Sequence, residues 1–170
     1  METMIINNFV DKLDSLNLAA VAQKLMSKKN GNGWTEEQTQ AAIARYKMFL
    51  TLHFIFPERS LVPTQEIDEV WHNHILLNTE QYFQDCQHLF GHFLHHCSVD
   101  EVDETDSQQQ DAAFATTRNL FEEVFGIGAL GDTNSPAAAC LSLPIHSSPS
   151  LISAACLTIP KQVPQLIFSG

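Results

Sequence analysis

At 170 residues and 44% apolar composition, the chain suffices for one domain with a real core and is short for two. Its formal net charge is −11, and its nine Lys and Arg residues are scattered from Lys12 to Lys161. With no basic stripe to track a phosphate backbone or an anionic bilayer, nucleic-acid and membrane partners are excluded on charge, which leaves an unknown protein or small molecule as the partner.

The longest apolar run, residues 48–56, is far too short to span a bilayer. The opening "METMIINNFVDKL" has no basic segment leading an apolar one and does not read as a signal peptide. A cytoplasmic location is therefore expected, with Cys86, Cys97, Cys140 and Cys156 as reduced thiols. None of them stands in a CxxC pair, which argues against a zinc site built from thiolates.

Helical patterning runs from the start to about residue 126. Ile5, Ile6, Phe9, Val10 and Leu13 recur at helical spacing over residues 4–14. Ser15 is expected to cap a second helix carrying Leu16, Leu18, Val21 and Leu25, with Lys28 and Lys29 at its negative end and Gly31 as a left-handed cap. Thr35 and Gln38 in "TEEQ" form a capping box for the longest helix, which Pro57 stops. That helix is apolar almost all round in its C-terminal half, the mark of a central, buried element. Thr64 caps a helix over 65–77, and Thr79 is expected to cap the next, ending at Gly91. The acidic stretch "SVDEVDETDSQQQD" reads as a solvated loop before a last helix over 111–125.

These patterns predict an all-α fold: a compact multi-helix domain over residues 1–130 and an irregular, flexible tail, rich in Pro, Ser and Ala, over 131–170. The tail holds a short repeat, "AACLSLP" at 138–144 and "AACLTIP" at 154–160, sixteen residues apart. Two such copies are too few to build a solenoid. A flexible tail with chance similarity is the expectation; docking strands, or sites of modification at Cys140 and Cys156, are the sharper alternatives.

Residues 66–97 hold six of the eight histidines. Asp68 and His72 are i and i+4 on a helix, hence neighbours on one face. Asp68 can fix the imidazole tautomer or ligate a metal itself. On the same helix His72 and His74 lie about 200° apart, so they are expected to face different surroundings and His74 is the weaker ligand. If the two helices form an antiparallel hairpin, the chain after Gly91 returns towards Asp68 and brings His96 to it. Two imidazoles and a carboxylate suit Fe or Zn with open coordination positions. Around them, Trp71 is expected as a core anchor and Cys86 as a small buried hydrophobe, with the Tyr82 hydroxyl reaching Asp68 or His72. The same residues can equally be a buried polar network that joins helices.

The pattern D-x-x-W-H-x-H (Asp68, Trp71, His72, His74), then Y-x-x-D-C (Tyr82, Asp85, Cys86), then G-x-x-L-x-H (Gly91, Leu94, His96) resembles the glycine-rich domain-containing protein-like family. The resemblance spans about residues 40–126 and marks His96, rather than His95, as the histidine of the pattern. It implies no particular reaction. The tail here is Pro/Ser-rich rather than glycine-rich.

The leading expectation is a divalent-metal-binding helical protein, with Asp68, His72, His74 and His96 as ligands and oxidoreductase or hydrolase chemistry open to it. The alternative is a non-catalytic helical adaptor whose Asp/His cluster is structural and whose tail recruits a partner.

Overall fold

The structure, a computed structural model, describes residues 2–98, 104–131 and 140–142, with side chains over 5–97 and 108–131. It is all-α as expected: α1 (Glu2–Asp14), α2 (Ala19–Met26), α3 (Glu36–Ile55), α4 (Gln65–Leu77), α5 (Thr79–Phe90) and α6 (Glu104–Phe125). Two three-residue strands, β1 (His96–Ser98) and β2 (Cys140–Ser142), pair antiparallel. No helix among the described residues is long and apolar enough to cross a membrane.

Local signals place most boundaries. At the start of α3 the Gln38 N–H donates to Thr35 Oγ1 at 3.2 Å while Gln38 Oε1 accepts from the Thr35 N–H at 2.9 Å, the reciprocal pair expected. Phe56 and Pro57 end the helix. Its C-terminal half is enclosed, with Tyr46 and every residue from Met48 to His53 buried. α3 lies against α2, α4 and α6, and α4 against α2, α3 and α5, so α3 and α4 form the centre of the core.

Three expectations at helix ends are corrected. Ser15 does not open the second helix: its hydroxyl donates to the Lys12 carbonyl, and α2 starts at Ala19, with Asn17 Oδ1 accepting from the Ala19 N–H. Leu16 and Leu18 are buried from the link itself. Gly31 is not a left-handed cap; the positive φ falls on Gly33 at 67°. Gly31 is required for close approach instead, since a Cβ there would meet the Lys24 carbonyl oxygen at 1.7 Å. The cap of α5 is Asn78 rather than Thr79, its Oδ1 accepting from the Gln81 N–H at 3.0 Å. Asn78 thus ends α4 and begins α5 at once. Gly91, with φ 75°, closes α5 in the left-handed conformation as the sequence suggests.

The acidic stretch is not all loop, because α6 begins at Glu104. Nor is the tail wholly irregular, since Cys140–Ser142 forms β2; residues 132–139 and 143–170, with His146, Cys156 and the second repeat, lie outside the described residues.

Two contacts fix the entry to α4. The buried Val62 N–H donates to Thr117 Oγ1 of α6 at 2.9 Å, and the Thr64 hydroxyl accepts from the Ile67 N–H at 3.3 Å. Arg45 of α3 forks onto both Glu66 oxygens at 2.9 and 2.6 Å. This pair is partly solvated, and its value is registration more than energy, at most about 1 kcal/mol.

Candidate metal centre

α4 projects Asp68 and His72 from adjacent turns of one face, with Asp68 Oδ2 3.2 Å from His72 Nδ1. The chain after Gly91 returns to that face, and His96 Nε2 lies 2.7 Å from Asp68 Oδ1. The His72 and His96 rings stand 4.4 Å apart between centroids. One ligating atom from each of Asp68, His72 and His96 falls within 4.8 Å of the other two. The His96 side chain is 8% exposed and Asp68 15%, whereas His72 is 44% exposed, so the group is walled on the protein side and open at His72.

Trp71 builds the inner wall. Its ring is fully buried and meets His96 edge to face with centroids 4.4 Å apart. Its indole N–H donates to the Tyr82 hydroxyl at 2.8 Å, and that hydroxyl donates to the Leu94 carbonyl at 2.7 Å. Tyr82 therefore does not reach Asp68 or His72, the partners expected for its hydroxyl from the sequence; it braces Trp71 against the segment that delivers His96. Burial raises the pKa of Tyr82 well above that of a free phenol, against the opposing pull of the Trp71 N–H. Cys86 is a buried free thiol beside Tyr82, its pKa raised by burial, which makes it an inert packing group.

His74 is not brought to this group. It is buried on another side of α4, with Nδ1 2.9 Å from the Tyr46 hydroxyl and Nε2 2.9 Å from Asp85 Oδ2. A carboxylate can only accept, so Nε2 carries the proton and Nδ1 accepts from Tyr46. Gln81 donates to the other Asp85 oxygen at 2.9 Å, completing the network. Burial lowers the pKa of His74 against the opposing pull of Asp85, and burial raises that of Tyr46, so the neutral forms fit this arrangement.

One neighbour carried no sequence signal. His53 of α3 is buried against Phe49 and lies 6.1 Å from Trp71 between ring centroids, with Nε2 unpartnered. Burial, with a smaller contribution from His92, lowers its pKa to about 3. Nothing in "TLHFIF" distinguishes it from any histidine on an apolar helix.

The chemistry of the donor set fits a metal. Two imidazole nitrogens and a carboxylate oxygen lie within 4.8 Å of one another, and neutral imidazoles move their protons to the outer nitrogens when an ion takes the inner ones. Without an ion, His96 hydrogen-bonds one Asp68 oxygen while His72 Nδ1 lies 3.2 Å from the other.

Comparison with known proteins places the chain in context. A family model described as UCP032817-like matches residues 7–121. Glycine-rich domain-containing protein 2 of Arabidopsis thaliana is 35% identical over 123 residues, 67% of this chain and 15% of the relative. Glycine-rich domain-containing protein 1 of Arabidopsis thaliana is 40% identical over 91 residues, 51% of this chain and 11% of the relative. The aligned region is thus a small part of each of these relatives. No solved structure matches the chain.

Proposed function

The chain belongs to the UCP032817-like family, that of the glycine-rich domain-containing proteins, and we propose that its helical domain binds a divalent transition metal through Asp68, His72 and His96. The observation that carries this reading is the convergence of the three ligating atoms within 4.8 Å on the face where His72 is open to solvent. Iron(II) and zinc(II) suit the donor set best, because two nitrogens and one oxygen leave positions free for water or substrate. Such an ion supplies Lewis acidity for a hydrolase or, as iron, redox chemistry for an oxidoreductase. The chain's own part is to hold His96 between Trp71 and Asp68, and to leave His72 as the open side for substrate.

The test is elemental analysis of protein purified without a His tag or chelator, beside the His72→Ala and His96→Ala variants. Near-stoichiometric iron or zinc in the parent, lost from both folded variants, is the expected result. A parent that takes up no metal after aerobic and anaerobic reconstitution overturns the reading.

One observation favours a second reading. Asp68 already hydrogen-bonds His96 at 2.7 Å and lies 3.2 Å from His72, so the cluster also serves as a polar network joining α4 to the His96 segment. On that reading the domain is a non-catalytic adaptor, and the two alanine variants melt earlier without any change in metal content.

A further inference from the structure

The tail repeat is the motif that the metal centre leaves unused. Its first unit supplies β2, whose Cys140–Ser142 pairs with β1 in the register His96↔Ser142, Cys97↔Leu141, Ser98↔Cys140. Strand pairing of this kind is made by backbone N–H and C=O groups, so an edge accepts any extended segment of suitable length and pattern. The second unit repeats the paired triplet as Cys156, Leu157 and Thr158, a hydroxyl residue again in third place. Pro160 follows that triplet at the same distance as Pro144 follows the first, and a proline has no N–H to give to a ladder.

Two opposing terms set the competition for β1. Reaching from the end of α6 at Phe125 to Cys156 rather than to Cys140 roughly doubles the loop, a disadvantage of about threefold. Against this, Thr158 stands where the first unit has Ser142, and a β-branched residue fits a strand better. Both terms are small, so the edge that Cys140–Ser142 occupies is open to competition from the second unit. We propose that β1 is an exchangeable docking edge, and that residues 156–158 of the same chain are its second occupant. The claim is independent of any metal, because it concerns backbone pairing alone.

Hydrogen exchange with mass spectrometry on the full chain tests it. Adjacent prolines remove a ladder N–H whichever residue of the pair supplies it, so Leu141→Pro with Ser142→Pro vacates the first unit. Leu157→Pro with Thr158→Pro vacates the second. Vacating the first unit is expected to leave the β1 amides protected and to add protection at residues 156–158. Vacating the second is expected to leave β1 and residues 140–142 protected, and all four prolines together are expected to strip β1. Loss of β1 protection with the first pair alone overturns the proposal, and so does its survival with all four. Protection that grows with protein concentration also overturns it, because the second strand then comes from another copy. Helical circular dichroism equal to the parent's confirms that each variant folds, and the gentler Leu141→Gly with Ser142→Gly provides the same reading if the prolines disturb the helices.

Discussion

His72 and His74 stand two residues apart on α4 and face different surroundings: His72 Nδ1 opens towards Asp68 at 3.2 Å, while His74 is closed between Tyr46 and Asp85, each at 2.9 Å. A step of two residues is about 200° of helical rotation, and the core occupies only one side. One histidine is therefore available for chemistry and the other for cohesion.

Alanine at the two positions should separate these roles. His74→Ala strands Tyr46 and Asp85 in the core, and removal of one partner from a buried polar pair costs about 3 kcal/mol or more. Its folded fraction should still take up metal. His72→Ala should melt close to the parent, since the side chain is 44% exposed, and should lose the metal. Urea unfolding paired with elemental analysis reads both effects.

Tyr82→Phe keeps the ring and removes the oxygen that joins Trp71 to Leu94. An indole N–H and a carbonyl are then left buried without partners, at a combined cost of about 2–4 kcal/mol. Denaturant midpoints at unchanged slope check the magnitude. Because the brace also steadies the His96 segment, metal affinity should fall by about tenfold, the range found when an outer support of a ligand is removed.

The buried His53 makes stability depend on acid. Its pKa is lowered from 6.5 to about 3 in the folded chain, so between those values the unfolded chain binds a proton that the folded one refuses. Stability from this group is fully present above pH 6.5 and declines as pH falls, by up to about 1.4 kcal/mol per unit. His74 and His92, also lowered by burial, act in the same direction. His53→Phe should be near neutral at pH 8 and should outlast the parent at pH 5 by about 2 kcal/mol in urea unfolding. Equal pH dependence in parent and variant would show that His53 is protonated in the folded state.

Gly31→Ala should lower the melting temperature although the site is exposed, because the added carbon meets the Lys24 carbonyl and the turn after α2 must open. Overpacking of this kind costs about 1–3 kcal/mol. Gly91→Ala has nothing within 4 Å to meet and costs only the strain of a positive φ, about 1 kcal/mol. Thermal melts of the two variants side by side distinguish the causes.

The sequence carries those features that are decided within a few residues. Thr35 with Gln38, Thr64, Pro57 and Gly91 act on their own helix ends, and each was legible. Asp68 and His72 are one turn apart, and the motif around Gly91 and Leu94 singles out His96, so that part of the site was also within reach. What escaped depends on distant partners. The Ser15 hydroxyl turns back to the Lys12 carbonyl, and Leu16 and Leu18 reach the core from the link between α1 and α2. The Tyr82 hydroxyl meets Trp71 and Leu94 rather than Asp68, a choice set by how α5 lies on α4. β2 falls in the first AACLxxP unit, where a docking strand stands only as the alternative to a flexible tail, because the pairing with β1 that forms it is not written in the unit itself.

Asn78 alone joins α4 to α5, ending one and capping the other. The joint therefore has no slack, and the distance from Asp68 to His96 is counted out in residues as on a ruler. One residue added to or lost from residues 75–81 would turn everything beyond it by about 100° and shift it by about 1.5 Å along the helix. Tyr82 would leave Trp71, Asp85 would leave His74, and His96 would miss Asp68 together. Chains that keep this site can vary in the letters between Asp68 and Gly91, but the physics gives them little liberty in the count.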